Sequence, residues 1–237
     1  MWLNLWIIRK ADRNRKGLRR YRAAAALLLC VTLTVCACIR RIDPAAYAQA
    51  VLDVTYKNQT EEYRKLTGAE KEAAEKIFAD NLAATAGLFK GAELPETLEN
   101  NYQALFKDII MRVNYTVGNV VSDEEKNYIV EVKIKPLTLF DDTYEEFQKK
   151  SEEYARNVTN GVMKGEEMPS EEEMRQQVYQ IYYDILRAGL DEGARYGEEE
   201  TMKIHVTRTE KGTYEIPAED IRMLDEKLIS QDKLKTE

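Results

Sequence analysis

The sequence predicts an α+β domain over residues 44–237, in which an antiparallel sheet of about four strands packs on helices. Three observations carry this reading. Residues 44–113 repeat their apolar positions at helical spacing. Tyr128–Lys135 and Met202–Val206 switch to alternation, the period of a half-buried strand. The chain of 237 residues is 44% hydrophobic, enough for a packed core and too much for a wholly disordered protein.

The elements follow in order. Asp43-Pro44 reads as a cap followed by proline at the first helical position, and Tyr47, Ala50, Val51 and Val54 then repeat helically. Thr67-Gly68-Ala69-Glu70 has the form of a capping box and predicts a second helix to about Phe89. Its apolar face is Ala74, Ile77, Phe78, Leu82 and Leu88, and Gly91 supplies the stop. Pro95 opens a third helix with Leu98, Tyr102, Leu105, Phe106, Ile109 and Ile110 inward. Tyr115–Val121 is strand-like, Ser122–Asn127 is a polar turn, and the next strand turns Tyr128, Val130, Val132 and Ile134 to one side. A helical hairpin is inserted over about 141–197. Its first helix runs from about Thr143 with Tyr144, Phe147, Tyr154 and Val158 on one side. Gly161, Gly165 and Pro169 mark the turn, and the box from Ser170 to Glu173 starts the second helix, with Met174, Val178, Ile181 and Ile185 inward. Met202–Val206 is a strand, Lys211-Gly212 a tight turn, and Thr213–Ile216 the return. Pro217 starts a terminal helix with Ile221, Leu224 and Leu228. With no internal repeat or linker, residues 44–237 form one domain.

Ahead of this domain the charge changes sign. Residues 1–37 hold eight basic residues against Asp12 alone, or +7, which leaves 27 basic and 41 acidic residues, or −14, in 38–237. A basic head on an acidic body excludes a nucleic-acid binder, which needs positive charge on its folded surface. After Arg22, residues 23–39 carry no charge. A basic segment followed by an apolar stretch is the pattern of a secretory signal, and it places everything after residue 40 across the membrane.

Val35-Cys36-Ala37-Cys38 resembles a bacterial lipobox. That resemblance implies a cut after Ala37, a signal peptide over 1–37, a diacylglyceryl group on Cys38, and a tether over 38–43. An uncleaved signal anchor is the other reading, and it also places the body outside the cytoplasm. Beyond Cys38 the body has no cysteine, hence no disulfide, catalytic thiol or thiolate metal site.

The matching stretches Tyr115–Leu137 and Met202–Asp220, with the lipobox, resemble uncharacterised Firmicutes lipoproteins of a domain-of-unknown-function family. That family has an NTF2-like, cystatin-like fold. The resemblance implies a curved antiparallel sheet wrapping a helix, and a protein on the outer face of a Gram-positive cell membrane.

No pattern of residues announces an active site. His205, the single histidine, lies on the polar side of its strand and reads as an exposed strand residue; without a second His or a Cys it cannot anchor a zinc site. The acidic runs Glu166-Glu167, Glu171–Glu173 and Glu198–Glu200 fall at helix starts and loop edges, where solvation and the helix dipole suit them. No calcium loop, glycine-rich phosphate loop or nucleophile elbow is present, so neither metal nor cofactor is expected. Tyr179, Tyr182 and Tyr183 lie beside the apolar face of the second hairpin helix. They read either as a core boundary or as a binding surface. Two functions stay open: a non-enzymatic, lipid-anchored module that binds an envelope ligand or protein, and a carboxylate-dependent hydrolase of envelope material. The hydrolase needs two close carboxylates in a cleft.

Overall fold

The structure, a computed structural model, describes residues 43–86, 94–124, 127–210 and 212–235. The lipobox with Cys38, and Leu88, Gly91 and Lys211, lie outside the described residues. Helix α1 (Pro44–Tyr56) starts on Asp43, whose carboxylate accepts the Ala45 N–H at 3.0 Å. The next turn corrects the capping-box reading at Thr67. That residue ends a helix, α2 (Glu61–Thr67), and its hydroxyl donates back to the Tyr63 carbonyl at 2.7 Å. Gly68, at φ 74°, supplies the left-handed stop. Helix α3 (Lys71–Ala86) follows, then α4 (Glu96–Met111), which buries all six residues expected of it.

Strands β1 (Asn114–Glu124), β2 (Asn127–Lys135), β3 (Glu200–Arg208) and β4 (Tyr214–Glu215) form one antiparallel sheet in the order β1-β2-β3-β4. Each runs beyond or within a residue or two of its predicted span, and β1 reaches Glu124, inside the expected turn. Val130 pairs with Ile204 and Val132 with Met202, so the alternating residues of both central strands share a face. Register shifts between Val117 and Val120 and between Val120 and Ser122 put bulges in β1, which bend a strand.

One side of the sheet is the main core. Val130, Val132, Ile134, Ile204 and Val206 are fully buried there. They meet Val51, Leu52 and Tyr56 of α1 and Ile221, Leu224 and Leu228 of α7 (Ala218–Leu228). A second core joins Leu98, Tyr102, Leu105, Phe106 and Ile109 of α4 to the inserted hairpin, α5 (Leu139–Met163) and α6 (Glu171–Glu192). Leu82 and Ile229 pack against both. Helix α5 starts at Leu139, ahead of the expected Thr143, because Leu139 and Phe140 are themselves core residues. Gly161 lies inside that helix, not in the turn.

A short crossing locks the hairpin to the end of the chain. The Leu137 N–H donates to the Leu228 carbonyl and its carbonyl accepts from Ser230, both at 2.9 Å. On the other side, Thr138 donates to Arg195 at 3.1 Å, and Gly197 to Pro136 at 2.8 Å. A last helix, α8 (Asp232–Lys235), absent from the sequence reading, follows; Asp141 of α5 accepts the Lys233 N–H at 2.9 Å.

Candidate functional site

The anchor and the three tyrosines, the latter read either as a core boundary or as a binding surface, are the candidate residues the sequence offers. Asp43, the first described residue and the cap of α1, lies five residues past Cys38. Among the described residues, no helix is long and apolar enough to cross a membrane.

The tyrosines are brought to one helix but divided between two seams. In α6, Tyr179 and Tyr183 meet Tyr102 of α4 edge-on, with ring centroids 6.4 and 5.5 Å apart. The Tyr102 hydroxyl donates to the Tyr179 carbonyl at 2.7 Å, a polar tie through an apolar seam. Tyr182 instead packs on Phe147 of α5 at 4.7 Å. Burial pushes the hydroxyls of Tyr102, Tyr179 and Tyr182 up from the ordinary phenol range. All three candidate tyrosines are half-buried: they wall the second core and keep an edge outside.

Two polar groupings have no signal in the local sequence. Asp220, buried in the first turn of α7, accepts the His205 backbone N–H at 2.5 Å and lies 2.9 Å from His205 Nδ1. His205 is half-exposed, as its place on the strand predicts, but it is held by a carboxylate. The second grouping closes the far end of α1. Asp53 accepts from the Tyr115 hydroxyl at 2.7 Å and from Gln49 at 2.8 Å. Lys57 donates to the carbonyls of Met111 and Val113 at 2.8 and 2.5 Å and lies over the Tyr115 ring. Burial lowers the Lys57 ammonium's pKa, and Asp53 opposes that shift. Both groupings spend their hydrogen bonds within the fold, tying α7 to β3 and α1 to the α4–β1 junction.

The acidic runs occupy edges. Glu171–Glu173 form the first turn of α6, where the predicted capping box is complete: Ser170 accepts the Glu173 N–H, and Glu173 accepts the Ser170 N–H at 2.8 Å. Those bonds from Ser170 hold the Glu173 carboxyl below its usual range, and Arg222 does the same for Glu219. Glu199 pairs with Lys133 at 3.2 Å, and Glu200 with Lys227. Among the described residues, no three His, Cys, Asp or Glu side chains are placed to hold a metal ion.

An open four-stranded antiparallel sheet, with helices against one face and a helical hairpin between its central strands, defines the protein as α+β. The chain belongs to the family of the domain of unknown function DUF5105, whose profile matches residues 39–230. It is also similar in fold to YcdA of Bacillus subtilis, a candidate lipoprotein with a crystal structure at 2.62 Å. The TM-score is 0.53 at 18% identity, over 80% of this chain and 57% of that one. This chain thus spans little more than half the length of that neighbour. No curated protein sequence matches it.

Proposed function

We propose that the protein is an extracytoplasmic lipoprotein, held to the outer face of a Gram-positive cell membrane by lipid on Cys38. Its body is a non-enzymatic module that binds an envelope ligand or protein. The observation that carries the anchor is where the family match begins: residue 39, directly after Cys38, with the cap of α1 at Asp43. A cut before Cys38 therefore leaves the whole family match on the mature chain, with residues 38–43 as its tether. The fold shared with a candidate lipoprotein supports the same reading, and the bulged sheet around α1 suits the NTF2-like, cystatin-like comparison. Binding is favoured over catalysis because the buried Asp220 is spent on a backbone bond within the fold. Tyr179, Tyr182 and Tyr183, each with an edge outside, are the proposed binding surface.

The test is intact mass of the membrane-bound protein beside Cys38→Ser. The wild type is expected to lack residues 1–37 and to carry diacylglyceryl on Cys38, while the variant keeps its signal and takes no lipid. A wild type that retains Met1 with an unmodified Cys38 overturns the anchor.

A further inference from the structure

The two ends of the sheet differ in what they can reach. Helix α1 starts at the end where β1 turns into β2. There the Tyr47 hydroxyl donates to the Tyr214 carbonyl at 2.6 Å, and the Tyr128 ring lies 6.0 Å from that of Tyr214. Tyr128 pairs with Val206, and Tyr214 with Arg208, so these residues share the turn end of the strands. Helix α1 finishes at the opposite end, where Lys57 holds the Val113 carbonyl and Asn114 pairs with Lys135. The inserted hairpin leaves from that same end, with α5 beginning at Leu139.

Chain length separates these ends relative to an anchor at Cys38. The five residues from Cys38 to Asp43 reach at most about 17 Å when extended. The nine residues of β2 add roughly 30 Å beyond the turn end. Charge acts in the same direction. Arg40 and Arg41 of the tether favour an anionic lipid surface, by about 1 kcal/mol per charge. The hairpin region 139–192 carries 14 acidic and six basic residues, −8, and is repelled by it.

We infer that the turn end of the sheet, formed by the first turn of α1 with Tyr214 and Asn127, faces the lipid headgroups. The hairpin root at Lys135 faces away, so β2 rises from the membrane and presents the acidic hairpin outward. This orientation rests on the lipid anchor proposed above.

Asn127 and Lys135 are exposed, sit at the two ends of β2, and stand about 26 Å apart. The chain's three cysteines are Cys30, Cys36 and Cys38, so a thiol introduced in the body is unique once Cys38 is acylated and the signal removed. The experiment labels Asn127→Cys and Lys135→Cys, each in the mature lipidated protein, with a fluorophore. Each is placed in phosphatidylglycerol-containing vesicles carrying a headgroup nitroxide. The label at 127 is expected to lose most of its fluorescence and the label at 135 to keep it. Equal quenching, or the reverse order, overturns the orientation. Intact mass on the same samples separates the two ideas: lipid on Cys38 with equal quenching sinks the orientation alone, whereas an unmodified Cys38 sinks the anchor and the orientation with it.

Discussion

Asp220 uses one oxygen twice, and the backbone bond is the one that matters. Strand β4 pairs with β3 only at Thr207 and Arg208, so β3 has an open edge at His205. The buried carboxylate, 4% exposed, fills that edge by accepting the His205 N–H, and the first turn of α7 also favours its charge. Removing the carboxylate leaves a backbone donor without its partner. Asp220→Ala is therefore expected to cost about 2–3 kcal/mol. His205→Ala deletes only a half-exposed ring and costs less than about 1 kcal/mol. Urea unfolding of the two variants checks this, and equal losses would show that the ring contact carries the stabilisation instead. The exposure of His205 was legible from strand alternation. Its partner was not, because an aspartate in a helix's first turn already has a local explanation and the two residues meet only when α7 folds back. Tyr179, Tyr182 and Tyr183 were legible as a boundary, but their division between α4 and α5 depends on how three helices pack.

The hairpin depends on close approach at one position. A Cβ on Gly189 of α6 would stand 3.0 Å from both Leu139 Cδ1 and Thr143 Cγ2 of α5. Alanine there gains about 1 kcal/mol of helix propensity and loses a similar amount to crowding. Gly189→Val adds two more carbons to the same gap and is expected to lose about 2 kcal/mol, read as a lowered urea midpoint beside a nearly unchanged Gly189→Ala. A valine variant as stable as the wild type would mean that the helices separate freely at this crossing. Why most elements could be read in advance, and some could not, is clearest at the two capping-box patterns. Ser170 and Glu173 satisfy each other's backbone donors, and a helix starts. Thr67 and Glu70 have the same spacing, but Gly68 can turn left-handed and stop the helix before it. The hidden α2 was lost with that choice, since its seven residues bury nothing fully and leave no apolar stripe. The start of α5 was obscured for the opposite reason. Leu137 is fully buried by a crossing with Tyr196 and Ile229, partners far away in sequence, and this carries Leu139 and Phe140 into the core with it.

At the scale of the whole molecule, both cores are fastened by phenols that resist ionisation. Burial first, then Asp225 for Tyr56 and Asp53 for Tyr115, pushes the hydroxyls of Tyr47, Tyr56 and Tyr115 well above their usual range in the main core. Burial does the same for Tyr102 and Tyr182 in the second. A hydroxyl whose folded pKa is raised keeps its proton where the unfolded chain would release it. The stability it contributes is complete below the ordinary phenol value near 10 and is lost as pH climbs from there toward the folded value. Lys57 has the opposite sign: its folded pKa is lowered, so its contribution improves as pH rises toward the ordinary 10.5. One lysine against these tyrosines, with Tyr179 shifted the same way, leaves the balance negative. The fold is therefore expected to be insensitive to this group of residues up to about pH 10 and then to fail steeply. Because Leu82 and Ile229 pack against both cores, the failure should be a single event. Tyrosinate absorbance and far-UV circular dichroism recorded together on one sample against rising pH check this. The late part of the tyrosinate signal should appear with the loss of helix, in one coincident step. A full tyrosinate signal with the dichroism intact would show that these hydroxyls ionise inside the folded protein, and that neither core depends on keeping them protonated.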